Sequence, residues 1–260
     1  MRSTERNTSL PSNDSSRSVV RRLAAVLDAF RTGDVYLGVN EIARRTDLPK
    51  STVSRLVKDM DEAGFLERKE QKVGLGLQMF EWGERASRRR SVREVALPFM
   101  ADLRAATRQT VHLAVLDGTE VVYVEILHRE DAPRLPSRVG GRLPAHATGV
   151  GKALLAASDL DVIERAIAAG LVAVGPRTIR NPDVLRQQLR RAAVNGIAYE
   201  HEEAAPGVVC VASAILDSEN VPVASISASG WAGQVDIRRV GPAVHTAALS
   251  VSRVLASRMS

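Results

Sequence analysis

The sequence predicts an α+β protein: a small N-terminal winged helix-turn-helix, a linker helix, and a larger domain with helices packed on a mixed antiparallel sheet. Three observations carry that prediction. Apolar residues recur at helical spacing through residues 18–60, and strand-like alternation begins at Thr110. The 260 residues are too many for one small helical domain and suit a small domain plus one of ordinary size. Charge is lopsided: residues 1–90 hold 18 Lys and Arg against 13 Asp and Glu, whereas residues 91–260 hold 18 against 17.

Composition narrows the class. With 45% apolar residues but only 3% aromatics, the cores must be built from Ala, Val, Leu and Ile. The net charge of +6 lies almost wholly in the first third, which suits a polyanionic partner there. A single cysteine, Cys210, excludes an intrachain disulfide. No apolar run reaches membrane-spanning length and no secretory leader is read, so a soluble cytoplasmic protein with no membrane partner is expected. Residues 1–16, rich in Ser, Asn and Thr, read as a disordered tail. Residues 17–76 then form the winged helix-turn-helix, 77–90 the linker helix and 91–260 the larger domain.

The first helix is predicted from Ser18 to Phe30, with Val19, Leu23, Val26, Leu27 and Phe30 at helical spacing. Gly33 and Asp34 break it. A second runs from about Asn40 to Arg45. Asp47-Leu48-Pro49 turns the chain, and Pro49 suits the first turn of a third helix. There Val53, Leu56, Val57 and Met60 recur at i, i+3, i+4 and i+7 and face the core. Gly64 ends that helix. Phe65–Arg68 and Val73–Leu75, around the polar turn Lys69–Lys72, read as the wing. Leu77–Arg90 is helical and closes on Arg88-Arg89-Arg90. Ser91 opens another helix, with Val95, Leu97, Met100 and Leu103 as its apolar positions.

From Thr110 the period becomes two. Val111–Leu116 and Val121–Ile126 form a hairpin around Asp117-Gly118. Gly149–Ala157 and Asp161–Ala169 read as helices. Asn181-Pro182-Asp183 opens a further one, which runs to Val194 and is closed by Gly196. Ile197–Glu200, Val208–Leu216 and Pro222–Ala228 are strands, and an amphipathic helix covers Val240–Arg258.

The third helix buries one face and turns Ser51, Thr52, Ser54, Arg55 and Lys58 to the other. That is the form of a helix that enters a DNA major groove, so double-stranded DNA is the expected partner. Ser51, Thr52 and Arg55 are the candidates for base edges and nearby phosphates. Arg bridges guanine bidentately, while Ser and Thr are less selective. Lys50, Lys58, Arg68, Lys69 and Lys72 are expected to contact phosphate and position the domain without reading sequence. Arg44 and Arg45 either do the same or only solvate the second helix.

A second constellation is Leu143-Pro-Ala-His-Ala-Thr-Gly-Val-Gly-Lys-Ala-Leu-Leu155. It is not a P-loop: His146 stands where the first Gly belongs, and Ala153 replaces the Ser or Thr. What remains is a helix start that either offers N–H groups to a small anion or simply packs on the sheet. A third joins Tyr199–Glu203, Gly207–Ala212 and Ser225–Ser229. Alternation places Val208, Cys210 and Ala212 on one strand face, and Ser225, Ser227 and Ser229 together on one face of the next. Such residues line a cavity or face solvent. Glu200 is either an exposed carboxylate or a polar group in that cavity. The five histidines never approach a zinc spacing, so no metal is expected. Cys210 has no base at a telling spacing and reads as a small core or pocket residue. Trp82 and Trp231 read as packing residues.

In these motifs the chain resembles the IclR-type bacterial transcriptional regulators over essentially its whole length after the tail. The helix-turn-helix and wing, Leu143–Ala153, then Glu200-x-Glu-Glu-x3-Gly-Val-x-Cys-Val-Ala212 and Ser225-Ile-Ser-Ala-Ser-Gly230 occur in the family's order. The resemblance implies a GAF/PAS-like effector domain, and dimers or dimers of dimers bound to palindromic operator DNA. It implies no cofactor, but a small-molecule effector, a small carboxylate or aromatic acid. Carried over by motif position, the effector cavity is lined by Leu135, Leu143, Gly149, Val150, Glu200, Val208, Cys210, Ser227 and Ser229. Gly149 and Val150 then offer backbone N–H groups to an anion, and Ser227 and Ser229 their hydroxyls.

Two departures stand out. The family usually has Asp or Ser where this chain has Glu200, and an aromatic or His where it has Leu216. A longer carboxylate shrinks the pocket or favours a ligand carrying a donor group. Repression is the default the resemblance implies, with an activator as the alternative. Two other classes compete: an enzyme centred on Cys210 or His146, for which no base, orienting group and oxyanion site come together, and an architectural DNA-binding protein whose rear domain only oligomerises.

Overall fold

The computed structural model describes residues 18–30, 33–85, 87–129 and 137–259; the predicted tail and Leu135 lie outside the described residues. The chain divides into two compact units, Met1–Ala86 and Ser87–Ser260.

In the first unit, α1 spans Val19–Asp28, and Ser18 caps it by accepting the Arg21 N–H through Oγ at 3.3 Å. Strand β1 (Leu37–Gly38) leads into α2 (Val39–Thr46) and α3 (Lys50–Glu62). Asp47, in the left-handed conformation at φ 55°, makes the turn between them. Pro49 caps α3 and is not within its first turn. Strands β2 (Leu66–Lys69) and β3 (Lys72–Leu75) form the wing, with β3 central in an antiparallel three-stranded sheet. Helix α4 (Leu77–Arg85) follows. Val53, Leu56, Val57 and Met60 of α3 are buried with Val26, Ile42, Leu48, Leu66 and Val73. Each such side chain contributes about 1.5–3 kcal/mol relative to exposure. Val19 departs from its predicted place in the stripe. It is 57% exposed, because it sits a full turn before Leu23, where α1 first meets the core.

The second unit opens with α5 (Ser87–Thr107), followed by β4 (Thr110–Asp117), β5 (Glu120–Leu127) and β6 (Arg142–Pro144). A single 3-10 turn (Ala145–Ala147) precedes α6 (Gly149–Ala156) and α7 (Leu160–Ala168). Then come α8 (Pro182–Asn195), β7 (Ala198–His201), β8 (Val208–Leu216), β9 (Pro222–Trp231) and α9 (Ile237–Met259). The sheet order is β6-β5-β4-β9-β8-β7, with every pairing antiparallel. The helix predicted to open at Ser91 starts four residues earlier, at Ser87, and the preceding one stops at Arg85. Leu97 is not a core position but 39% exposed. At 3.6 residues per turn it points about 200° away from Val95, whereas Val95, Ala96, Met100 and Leu103 share the buried stripe.

Period two sorts the central strands into two cores. Val111, Leu113, Val209, Val211, Ala224, Ile226 and Ala228 pack with residues of α5 and α9. Their sequence neighbours Ala114 and Ala212 pack on the other face with Val150, Leu154 and Leu155 of α6 and Leu185 and Leu189 of α8. That second face also carries Glu200 of β7, Cys210 of β8 and Ser225, Ser227 and Ser229 of β9.

Candidate nucleic-acid interface and ligand cavity

The two surfaces are built on different units. In the first, Val53, Leu56, Val57 and Met60 anchor α3, so rotation about its axis is fixed and its opposite face is presented outward. Lys50, Ser51, Ser54, Arg55 and Lys58 are exposed and Thr52 is partly so. The side chains of Lys50, Ser51, Thr52, Ser54 and Arg55 have no hydrogen-bond or ion-pair partner among the described residues. Pro49 supplies no side-chain cap, so the first N–H groups of α3 are open to a phosphate. At about 1.5 Å per residue the helix is roughly 20 Å long, and a major groove about 12 Å wide admits it.

The wing residues are less free. Arg68 pairs with Asp61 at 3.2 Å, and Lys58 lies 3.7 Å from Glu62. Both pairs are exposed and therefore weak, so phosphate competes with them easily. Lys69 lies over the Tyr36 ring at 5.4 Å, and the Tyr36 hydroxyl donates to Glu67 at 2.8 Å. The Lys72 side chain has no partner among the described residues. Arg45 is structural. Only 15% exposed, it donates to Glu41 at 2.6 Å, to the Ala29 carbonyl at 2.8 Å and to Asp34. Arg44 also holds Glu41, and the two guanidiniums, Arg44 first, bring the Glu41 carboxyl down to about 2.

In the second unit, Leu143, Gly149, Val150, Glu200, Val208, Cys210, Ser227 and Ser229 line one cavity of about 30 Å³. The sheet register brings them together. Glu200 pairs with Cys210 and Cys210 with Ser229; one step along, Ala212 pairs with Ser227 and Ser227 with His112. The start of α6 closes the cavity from above. Two of its glycines are required by close approach: a Cβ on Gly149 would come within 2.7 Å of the Cys210 sulfur, and one on Gly151 within 2.2 Å of the Ala145 carbonyl oxygen. Thr148 caps the helix, its Oγ1 accepting the Gly151 N–H at 3.0 Å and its carbonyl the Lys152 N–H at 2.9 Å. The N–H groups of Gly149 and Val150 have no partner among the described residues.

The cavity holds its titratable groups uncharged or close to it. Burial pushes the Cys210 thiol up to about 12, helped by the Glu200 charge. Burial brings His112 down to about 3, so its imidazole is neutral, with Nε2 2.9 Å from the Ser137 hydroxyl. Tyr123 is raised by burial and tilts against His112 at 5.5 Å. Glu200 is raised to about 7 by burial, against the opposing pull of the Glu203 and Ala204 N–H groups on Oε1.

Behind Glu200, Lys152 is buried with its ammonium 2.6 Å from Glu203 Oε1 and 2.9 Å from Gln188 Oε1. The lysine of the Gly-Val-Gly-Lys element is therefore the partner of a carboxylate 51 residues on, and its charge is spent on that pair.

His112, Tyr123, Ser137, Thr148 and Ala204 also line the cavity and escaped sequence reasoning. Leu216, singled out as a departure, does not line it. That residue borders a larger groove of about 510 Å³ shared with Ala153, Ala156, Ala192, His245 and Arg253. Size alone favours the groove, but the convergent polar groups and perturbed acidities that orient a ligand are in the smaller cavity. Cys210 and His146 do not form a catalytic pair: His146 is turned to the Val172 carbonyl, 3.1 Å away, and lies outside the cavity. Among the described residues no cluster of metal-ligating side chains occurs, and no helix is long and apolar enough to cross a membrane.

Comparison with known proteins bears on both units. Residues 19–70 match the IclR helix-turn-helix domain, and residues 85–253 match the C-terminal domain of bacterial transcriptional regulators of the IclR type. The chain is 30% identical to the HTH-type transcriptional regulator XynR of Escherichia coli K12, covering 91% of this chain and 96% of that protein. It is 33% identical to the HTH-type transcriptional repressor AllR of Klebsiella pneumoniae, covering 94% and 92%. Among solved structures, an IclR homolog from Microbacterium hydrocarbonoxydans complexed with 4-hydroxybenzoate superposes with a TM-score of 0.85 at 33% identity, covering 94% of this chain and 100% of that one.

Proposed function

Because the chain belongs to the IclR family of bacterial transcriptional regulators, we propose that it is a cytoplasmic, dimeric or tetrameric repressor without enzymatic activity. In this reading it grips palindromic operator DNA through α3 and the wing and is released or retained by a small carboxylate or aromatic acid. The observation that carries it is the outward face of α3, where Ser51, Thr52 and Arg55 are unpartnered over a fully buried opposite face. Arg55 reads a base edge, Ser51 and Thr52 contact bases or adjacent phosphates, and Lys50, Ser54, Lys58, Arg68, Lys69 and Lys72 hold the backbone. Repression follows the curated name of AllR, and an aromatic acid follows the ligand named for the Microbacterium homolog. Against an enzyme stand a thiol held protonated and an imidazole stripped of basicity by burial. The cavity and the family assignment together speak against a purely architectural role.

The test is selection of duplexes from a random pool by the full-length protein. A two-fold symmetric site is expected, with half-sites about 10–10.5 bp apart or a multiple of that spacing. Arg55→Ala should lower affinity for the selected site about 10–100-fold and relax one base position, in keeping with about 1–3 kcal/mol per bidentate contact. Lys72→Ala should weaken all duplexes alike and reduce the salt slope by about 1. A selected pool without symmetry would contradict the reading.

Helix α4 and the start of α5 join the units along the chain, and we assign transmission of the effector signal to them. Glu84→Pro, which interrupts the α4 hydrogen bonds, should abolish effector response in DNA binding while effector-induced stabilisation persists. Retained response would exclude this route.

A further inference from the structure

Strand β7 pairs with β8 only between Ala198 and His201, so Ser213, Ala214 and Leu216 of β8 run on past its end. The gap beside them is the groove of about 510 Å³, which shares no lining residue with the cavity at Glu200. Its walls are small and apolar. Helix α6 gives Ala153, Ala156 and Ala157, α8 gives Ala192 and Ala193, and α9 gives Leu249. A recess between about 300 and 1,000 Å³ with apolar walls has the dimensions of a small-molecule site, in which a few polar groups orient the ligand.

Most polar atoms of the groove are already engaged within the fold. Ser252 Oγ donates to the Ala248 carbonyl at 3.0 Å and accepts the Leu216 N–H at 2.9 Å. Asp217 Oδ1 accepts the Glu219 and Val221 N–H groups, each at 2.9 Å. Ser213 has one hydroxyl proton, and it goes to the Gly196 carbonyl at 2.7 Å. The 3.0 Å contact between Ser213 Oγ and His245 Nδ1 therefore requires the proton on Nδ1. In the neutral ring Nε2 is then an acceptor, and it has no partner among the described residues. Gly196 makes room for this ring: a Cβ there would come within 2.3 Å of His245 Cε1. His245 aside, the charged residues lining the groove are Arg253 and Asp217, whose charges cancel.

We propose that the groove is a second ligand site, and that it takes an uncharged apolar molecule with one hydrogen-bond donor, of the phenol or alcohol class. The apolar body lies against the alanines of α6 and α8, and the O–H donates to His245 Nε2. Alanine walls by themselves admit any apolar molecule of the right size. His245 chooses among them, because a methyl ether sets its oxygen against Nε2 with no proton between the two acceptors. This site does not rest on the reading of the smaller cavity.

The probes are 4-ethylphenol, its methyl ether and the salt of 4-ethylbenzoic acid. Each is titrated calorimetrically into the full-length protein as wild type, Ala193→Phe, His245→Asn and Ser227→Ala. Ala193 is exposed on α8, so the added ring occupies the groove without entering the core. Asparagine keeps an N–H for Ser213 and removes the acceptor at Nε2. In the wild type the phenol should bind at least about 5-fold more tightly than its ether, and more tightly than the benzoate. Ala193→Phe should weaken the phenol at least about 10-fold by displacing its apolar contacts, whereas Ser227→Ala should leave it unchanged. In His245→Asn the ratio of phenol to ether should fall below about 2-fold. A ratio unchanged in His245→Asn overturns the role of His245 and with it the class of ligand. Tighter binding of the benzoate overturns the preference for an uncharged molecule. Binding lost in Ser227→Ala but kept in Ala193→Phe places the phenol in the smaller cavity and overturns the second site. Failure of every probe to bind at millimolar concentration also overturns it, and self-association abolished by Ala193→Phe would then assign the groove to a second copy of the chain.

Discussion

Replacing Lys152 with Met is expected to cost about 3–5 kcal/mol of stability at pH 8. The ammonium is buried to 2% exposure and lies 2.6 Å from Glu203, whose second oxygen already has no hydrogen-bond partner among the described residues. Removing the lysine strands a carboxylate in the interior. Burial already raises the Glu203 carboxyl, and the Lys152 charge opposes that rise. Without the lysine the carboxyl rises further and takes up a proton, so the deficit should shrink as the pH is lowered. The double variant Lys152→Met with Glu203→Leu removes both charges and should recover most of the loss, since an apolar pair of similar volume often matches a buried ion pair. Urea unfolding of the three proteins at pH 6 and pH 8 decides the matter. A deficit below about 1 kcal/mol at pH 8, or no recovery in the double variant, would contradict the pairing.

The second large effect belongs to Glu200 and has the opposite sign. Its folded-state acidity of about 7 lies above the ordinary value of 4.5, chiefly because it is buried. The folded protein therefore holds this proton more tightly than the unfolded chain. The stability it contributes is complete below about pH 4.5 and is lost as the pH rises through 7. At about 1.36 kcal/mol per pH unit, that interval corresponds to about 3 kcal/mol. Glu200→Gln carries no such loss. The difference in unfolding free energy, variant minus wild type, should climb by about 3 kcal/mol between pH 4.5 and pH 8 and then level off. A difference curve flat across that range would show that Glu200 keeps its ordinary acidity in the folded state.

Much of this architecture was legible in the sequence because local periodicity and capping decided it. The α3 stripe at Val53, Leu56, Val57 and Met60, the strand Val208–Leu216 and the helix opened by Asn181 all stand where spacing put them. Elements too short for a period were not legible: β1 has two residues and β6 three. The break between α4 and α5 was misplaced because helical spacing continues through it. In the cavity, the motif residues Gly149, Val150, Glu200, Cys210, Ser227 and Ser229 meet as expected. His112 and Tyr123 were missed for a definite reason. His112 reaches the cavity only through the pairing of β4 with β9, between residues 115 positions apart. No pattern within β4 announces that pairing. Lys152 and Glu203 were each noticed, but their meeting depends on tertiary packing alone.

The period-two division of β8 and β9 bears on how this regulator can change over generations. Cys210, Ser227 and Ser229 line the cavity, while Val209, Val211, Ile226 and Ala228, interleaved with them, belong to the opposite core. Two vocabularies are thus written on the same strands, one for the cavity lining and one for what stays folded. A lineage can rewrite the first letter by letter, with small side chains that cost little packing, and leave the second untouched. Cavities of unlike chemistry can therefore arise on this scaffold by point substitutions at alternate positions, without passing through an unfolded ancestor.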